Sequence, residues 1–284
     1  MAQRARSAAI FVPPLLVVVV LGGAWIAALA LLLGGVAAYE ALRLLRAAGY
    51  PVLVGLGVTI ALALIADAAA PVDLVGSAAL VAAVAMVLAA VGAFGRADPR
   101  EGLAGWLGTV LGGTYAGMLG FVVRVGQEAP ALPAGAILTT LGAQRSWVLL
   151  LILAVWAYDT GAYAVGRTLG ARVGRLLGRE RFLAQLSPSK TYAGLFGGLL
   201  AGSLVTWLGL WLLGAPVWHA VLLGPAVGLA AQAGDLAESM LKRAAGAKDS
   251  GRLVPGHGGV LDRVDSFLFA APVMSLYLVA FLPR

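Results

Sequence analysis

The stretch AAIFVPPLLVVVVLGGAWIAALALLLGGVAA, residues 8–38, has no charged side chain and decides the fold class. A bilayer core is crossed by about 20 apolar residues, so this stretch is long enough to begin two membrane helices. Arg4 and Arg6 before it resemble the start of a signal peptide. However, Pro13-Pro14 lies inside the apolar stretch, and the hydrophobicity continues to Ala38. We therefore expect two retained helices rather than a cleaved signal.

The composition of the whole chain is typical of an integral membrane protein. Its 284 residues are 61% hydrophobic and only 12% charged, and the mean hydropathy is +0.94. One water-soluble core could not bury so many apolar side chains. The absence of cysteine excludes thiolate metal sites, disulfides and a cysteine nucleophile. The net charge of +7 comes from basic residues between apolar runs, so we expect lipid headgroups and nucleotide phosphates, not nucleic acid, as anionic partners.

The apolar runs predict an all-α, polytopic membrane protein with about nine transmembrane helices. They lie near residues 8–22, 24–45, 52–70, 74–94, 103–123, 146–166, 193–213, 217–234 and 265–282. The half 1–145 has few polar groups, so we expect structural, lipid-facing helices and oligomer contacts there. Three polar clusters follow residue 150, and 146–284 is therefore the predicted catalytic half of one integrated membrane domain.

The distribution of positive charge predicts the orientation in the membrane. With a cytoplasmic N-terminus, 17 of the 20 lysines and arginines fall in segments on the inner side, and only Arg124, Arg145 and Arg284 lie outside. The reverse orientation would invert this ratio, against the positive-inside rule. We therefore expect the N-terminus in the cytoplasm and the C-terminus outside.

The stretch DLAESMLKRAAGAKDSGRLVPGHGGVLDRVD, residues 235–265, gathers five acidic and five basic side chains. Carboxylates suit a hard cation such as Mg²⁺, and lysine and arginine suit phosphate. Asp235 and Glu238 would end one span, and Asp262 and Asp265 would begin another, at the same inner interface. The spacing i, i+3 puts each pair on one helix face, which predicts one or two metal ions that clamp a triphosphate. A solvated loop with salt bridges is the alternative.

Two further carboxylates lie inside apolar runs. A charged side chain in hydrocarbon costs about 2.5–3.5 kcal/mol. We therefore expect Asp159, in the block Asp159-Thr160-Gly161-Ala162-Tyr163, either to face a polar cavity in the cytoplasmic half or to make a helix-packing hydrogen bond. Glu40, near the inner end of its run, is expected to pair with Arg43, three residues further on.

The block Ser187-Pro188-Ser189-Lys190-Thr191 is expected to open the next helix. Serine followed by proline suits the N-cap and first helical positions. A helix start with free N–H groups and a nearby lysine is also a natural phosphate site. The basic run from Arg167 to Arg181 before this block is explained equally well as a simple determinant of topology.

Three blocks of this chain resemble the signature of the phosphatidate cytidylyltransferase (CDP-diacylglycerol synthase) family. The most specific block runs Ser239-x-x-Lys242-Arg243, then Lys248-Asp249, then Pro255-x-His257-Gly258-Gly259-x-x-Asp262-Arg263-x-Asp265. The blocks at 159–163 and 187–191 resemble two others of the same family. So many fixed positions make a chance match improbable.

The resemblance implies the reaction of CTP with phosphatidic acid to give CDP-diacylglycerol and pyrophosphate in phospholipid biosynthesis. It implies Mg²⁺, with a second ion such as K⁺, and it assigns metal binding to Asp235, Asp262 and Asp265, with Asp249 and Asp159 as second choices. The other catalytic residues are Lys248, Asp249, His257 and Arg263. The residues expected to bind substrate are Asp159, Ser187, Lys190, Thr191, Lys242, Arg243, Gly258 and Gly259. A homodimer in the inner membrane of a bacterium is implied, with phosphatidic acid in the inner leaflet and a cytoplasmic active site.

One position departs from the family pattern, and three other functions remain open. In the block at 187–191, the family usually has a glutamate two residues after the threonine, which is Thr191 here. This chain has Ala193 at that position. The nearest alternatives are a CTP-dependent lipid alcohol kinase and a cytidylyltransferase for another anionic lipid. An ion or anion transporter is the alternative from a different class, although it would spread its charges through the membrane depth.

Overall fold

The computed structural model describes residues 2–70, 76–179, 181–251 and 258–282, without the side chains of residues 2–11. The described residues form no strand, so the predicted all-α class is confirmed. The ten helices in these ranges are α1 (Ala2–Leu21), α2 (Gly23–Ala47), α3 (Val54–Ala69), α4 (Ser77–Ala93), α5 (Pro99–Gly117), α6 (Phe121–Gln127), α7 (Ala143–Leu177), α8 (Tyr192–Leu212), α9 (Ala220–Ala244) and α10 (Leu261–Phe281).

Six helical segments of the described chain are long and apolar enough to cross a membrane. They are Gly23–Ala47, Pro99–Gln127, Ala143–Leu177, Tyr192–Leu212, Val217–Ala244 and Leu261–Phe281. Three shorter apolar helices, Val12–Leu21, Val54–Ala69 and Ser77–Ala93, coincide with the remaining predicted spans. The membrane class is therefore supported, and the number of nine spans stays a prediction.

The chain folds into two compact units, each built from two stretches of sequence. One unit contains Met1–Arg124 and Met240–Leu268, and the other contains Val125–Ser239 and Phe269–Arg284. Each unit contains some of the predicted functional residues: Lys242 and Asp262 lie in the first, and Lys190 and Asp235 lie in the second.

In the first unit, glycines allow helices α2, α3 and α5 to pack around Leu42. A Cβ atom on Gly57 would lie 2.5 Å from a Leu42 methyl group, and one on Gly112 would lie 2.7 Å from the other. Leu42 is completely buried as a result. Small residues at such contacts let membrane helices approach closely, which replaces the hydrophobic driving force that lipid does not supply.

In the second unit, α7 and α8 pack closely, and a buried hydrogen bond joins α7 to α9. A Cβ atom on Gly198 would lie 2.9 Å from the Tyr158 carbonyl oxygen, and one on Gly161 would lie 2.8 Å from the Gly197 carbonyl oxygen. Tyr158 is completely buried, and its hydroxyl donates to the Gln232 side-chain oxygen at 3.0 Å. These contacts hold α7 and α9 together close to Asp159 and Asp235.

Two helices continue well past the apolar runs that predicted them. Helix α7 extends beyond residue 166 to Leu177 and ends at Gly178, whose φ of 71° is the left-handed conformation that often ends helices. Helix α9 extends beyond residue 234 to Ala244, with Lys242 and Arg243 in its last turn, where positive charge favours the helix dipole. Several residues expected in loops therefore lie on helices.

The N-cap expected at Ser187 is wrong. Helix α8 begins at Tyr192, and the N-cap is Thr191, whose hydroxyl oxygen accepts from the Gly194 N–H at 3.0 Å. Serine and threonine both cap helices, so the local sequence offered two suitable positions. Lys190 consequently lies just before the helix, not within its first turn.

Candidate functional site

The carboxylate of Asp262 is the centre of a polar cluster in the first unit, which we call the Asp262 cluster. Its Oδ1 atom accepts from Lys242 Nζ at 2.7 Å. Its Oδ2 atom accepts from the Ser250 N–H at 2.9 Å, the Ser250 hydroxyl at 2.8 Å and the Gly259 N–H at 2.7 Å. Three of these four donors meet Oδ2, so most of the hydrogen bonding that orients this carboxylate falls on one of its two oxygens.

The Asp262 cluster is shielded from solvent and connects distant parts of the chain. The Asp262 side chain is 11% exposed, and the Lys242 side chain is 14% exposed. Lys242 lies near the end of α9, whereas Asp262 lies in the first turn of α10, where a negative charge favours the helix dipole. Ser250 and Gly259 lie on either side of residues 252–257, so one carboxylate holds the chain at both ends of that segment.

Gly258 shows why glycine is needed beside this carboxylate. Its φ of 82° is a conformation that other residues rarely adopt. A Cβ atom at this position would also lie 2.5 Å from Asp262 Oδ2. Gly258 and Gly259 were expected to bind substrate, and the Gly259 N–H donates instead to the Asp262 carboxylate of the same chain.

Glu40 belongs to the same unit, and no motif of the sequence predicted a functional role for it. Its Oε2 atom accepts from the Ser250 hydroxyl at 2.9 Å and from the Leu261 N–H at 2.8 Å. The expected pairing with Arg43 is wrong, since the Arg43 guanidinium lies over the Tyr39 ring, 5.7 Å from its centroid. The signal that could have found Glu40 is a carboxylate inside an apolar helix, which needs a polar partner.

The second unit contains a separate group, the Lys190–Asp235 pair. Lys190 Nζ donates to Asp235 Oδ2 in an ion pair between the segment before α8 and helix α9. The Ser239 hydroxyl makes a long, 3.4 Å bond to Asp235 Oδ1, one turn further along α9. The two charged side chains are 20% and 27% exposed, so this pair is more open to solvent than the Asp262 cluster. Asp159, exposed on α7, lies near enough to interact electrostatically with both.

The other predicted site residues are mostly exposed or serve local structure. Arg243, Lys248, Asp249 and Arg263 are exposed. Ser187 is buried, and Asp265 accepts from the Ser266 N–H at 2.7 Å. Ala193, where the family pattern has an acid, is buried in the first turn of α8. His257 lies outside the described residues, so its role stays a prediction.

The carboxylates predicted to bind metal differ in how strongly their oxygens are already hydrogen-bonded. No group of three or more His, Asp or Glu side chains in the described ranges has an arrangement suited to a metal ion. Asp262 already accepts four hydrogen bonds, whereas Asp235 Oδ1 has only the long contact with Ser239. Carboxylate oxygens are nevertheless the donors that Mg²⁺ prefers. Asp235 therefore fits a magnesium ligand better than Asp262 does.

Comparison with known proteins gives one consistent description. A family model described as "Cytidylyltransferase family" matches residues 2–281. A phosphatidate cytidylyltransferase of Synechocystis is 45% identical over 137 residues, which are 48% of this chain and 44% of that protein. Proteins of the same name from Staphylococcus epidermidis and Staphylococcus aureus are 41% and 40% identical over 135 and 137 residues, which are 47% of this chain and 49% of each relative. The chain spans about half the length of the curated relatives it matches.

Lys242→Met should lower the unfolding temperature of the purified protein. The substitution leaves the shielded Asp262 carboxylate without its ammonium partner while it keeps its N–H and hydroxyl donors. We expect a loss of about 1.5–3 kcal/mol, which is typical of a hydrogen bond to a charged group. Thermal unfolding in detergent measures the change. The matched control is Lys248→Met, because Lys248 is exposed; equal shifts in both variants would contradict this assignment.

Proposed function

Because the chain belongs to the cytidylyltransferase family, we propose that it is a phosphatidate cytidylyltransferase. It converts CTP and phosphatidic acid into CDP-diacylglycerol and pyrophosphate. The observation that carries the proposal is the pairing of Lys242 with Asp262 and of Lys190 with Asp235. Lys190, Lys242 and Asp262 lie inside two of the blocks that resemble this family. Each pair combines a cation that suits phosphate with a carboxylate that orients it.

The chemistry assigned to the site is a displacement at the α-phosphorus of CTP. An oxygen of the phosphatidate phosphate forms the new bond to that phosphorus, and the bond to the bridging oxygen of the β-phosphate breaks. The electron pair leaves with pyrophosphate. A phosphate monoester dianion is already a nucleophile, so the protein needs mainly to position the reactants and neutralise negative charge.

The lysines and arginines near the two carboxylates are the groups of this chain that suit those tasks. Lys190 is the better placed to change partner, because its pair with Asp235 is partly exposed and a phosphate oxygen can compete for its ammonium. Lys242 is held more firmly within the Asp262 cluster and contributes fixed positive charge. Lys248, Arg243 and Arg263 are exposed cations that can bind phosphate or lipid headgroups.

Magnesium is part of the proposal, and the carboxylates proposed for metal binding are Asp235 in the second unit and Asp262 and Asp265 in the first. Asp235 is supported by its spare oxygen and its partial exposure. When bound, Mg²⁺ would neutralise charge on the triphosphate. A second ion such as K⁺ and a homodimer are proposed from the family resemblance alone.

We propose that the protein crosses the inner membrane of a bacterium about nine times, with its N-terminus in the cytoplasm and its C-terminus outside. Phosphatidic acid would then reach the site from the inner leaflet. The described apolar helices and the bacterial origin of the relatives support this placement. The excess of lysine and arginine in the inner segments supports the orientation.

The position of a radioactive label in the product tests the proposed reaction. CTP labelled at the α-phosphorus should transfer its label to the lipid in the presence of Mg²⁺ and phosphatidic acid, with release of pyrophosphate. CTP labelled at the γ-phosphorus is the parallel control and should leave the lipid unlabelled. A lipid labelled only from γ-labelled CTP would show a kinase. No CTP consumption with any lipid would favour the transporter.

The orientation is tested by labelling single cysteines, since the chain has none of its own. Thr140 and Ala184 are both exposed and lie on either side of helix α7. Thr140→Cys should react with an impermeant maleimide on intact cells, whereas Ala184→Cys should react only after permeabilisation. The opposite result would overturn both the orientation and a cytoplasmic active site.

A further inference from the structure

Glu40 is a buried carboxylate in the N-terminal half of the chain, far in sequence from the motif residues. It is only 3% exposed and lies in α2, a helix with few charged residues. Removing a carboxylate from water costs several kcal/mol unless hydrogen bonds or charges compensate. The hydrogen-bond partners of Glu40 therefore indicate its role.

Both hydrogen-bond partners that Glu40 has among the described residues border the segment between α9 and α10. The Ser250 hydroxyl and the Leu261 N–H both contact its Oε2 atom, at 2.9 and 2.8 Å. Leu261 is the first residue of α10, so Glu40 satisfies one of the N–H groups that a helix start leaves without a partner. Oε1 is buried and has no hydrogen-bond partner among the described residues.

The Ser250 hydroxyl connects Glu40 to the Asp262 cluster. Its oxygen lies 2.9 Å from Glu40 Oε2 and 2.8 Å from Asp262 Oδ2. A serine hydroxyl has one proton, so it can donate to only one of these oxygens at a time. The hydrogen bonding of Glu40 therefore affects that of Asp262 through the Ser250 hydroxyl, which both carboxylates share.

The glycines on either side of residues 252–257 leave the space that the Glu40 carboxylate fills. A Cβ atom on Gly251 would lie 2.9 Å from the Glu40 carboxyl carbon, and one on Gly259 would lie 2.6 Å from it. The same Gly251 atom would lie 3.3 Å from the Gly259 Cα. The two backbone stretches thus approach each other against one carboxylate, and this explains why Gly259 cannot carry a side chain here.

We propose that Glu40 is a positioning residue for the reaction. It holds Ser250 and the start of α10 so that Asp262 keeps the orientation in which Lys242, Ser250 and Gly259 bind it. Glu40 does not touch the reactants. The proposal rests on the proposed function, because it assumes that the Asp262 cluster serves catalysis.

Turnover by Glu40→Gln gives the first test, with Glu128→Gln as a matched control. Glu128 also accepts a hydrogen bond from a serine, Ser275, but it lies in the other unit. Glu40→Gln should lower kcat at least tenfold and change the KM for CTP by no more than about threefold, because positioning is lost while binding groups remain. Glu128→Gln should keep wild-type kcat. Equal kcat in the two variants would overturn the proposal.

A double-variant cycle tests whether Glu40 acts through Ser250. If it does, adding Ser250→Ala to Glu40→Gln should lower kcat little further, because both changes break one link. Losses that multiply would overturn the proposed route. If Glu40→Gln does not fold, Ser250→Ala is tested alone, since it keeps the Glu40 bond to Leu261. This variant should show the same fall in kcat. Wild-type kcat in Ser250→Ala would overturn the proposal.

Hydrogen exchange of the full chain in detergent separates this proposal from the reaction itself. Amides of Ser250, Gly259 and Leu261 are hydrogen-bonded in or beside this network, so peptides that contain them should exchange faster in Glu40→Gln than in Glu128→Gln. This measurement needs no substrate. Absent CTP turnover in the wild type would count against the proposed function alone, whereas unchanged exchange in these peptides would overturn the role of Glu40.

Discussion

The shielded carboxylate of Asp262, with its four hydrogen bonds, is the constraint on which the polar part of the first unit depends. Its four donors come from α9, from Ser250 and from Gly259, which are separate along the chain. A carboxylate so shielded is stable only when its lone pairs are used, because desolvation costs several kcal/mol. The same requirement fixes the backbone on both sides of residues 252–257 and makes Gly258 necessary. Geometry at this site is thus set by the need to satisfy one charge.

The two lysine–carboxylate pairs differ in exposure, and this difference suggests different tasks. Lys242 and Asp262 have side chains 14% and 11% exposed, within a network of four hydrogen bonds to Asp262. Lys190 and Asp235 are 20% and 27% exposed, and Asp235 keeps one weakly bonded oxygen. An ion pair that is more exposed to solvent loses less free energy when one of its side chains binds phosphate or metal instead. We therefore assign fixed charge to the first pair and exchangeable binding to the second.

Hydropathy and motif spacing predicted the membrane class, the helical fold and the family. They also pointed to Lys190, Lys242 and Asp262, because these residues lie in specific blocks, and to Asp235, because it ends a predicted span. The helical extensions of α7 and α9 were missed, since an apolar run marks the part of a helix in lipid and not its polar end. Glu40 was missed as a site residue because its partners are 210 and 221 residues away, a separation that no local pattern reveals. The cap at Thr191 was missed because Ser187 suits that role equally well.

The turnover of Asp262→Asn measures most directly whether the Asp262 cluster is the catalytic centre. An amide has the same shape but lacks the second carboxylate oxygen, so it cannot serve all four donors or carry the negative charge. We predict that the variant inserts into the membrane and folds but forms CDP-diacylglycerol about 10²-fold more slowly. Glu101→Gln, an exposed change in α5, should keep full turnover. Near wild-type turnover by folded Asp262→Asn would contradict a catalytic role for this cluster.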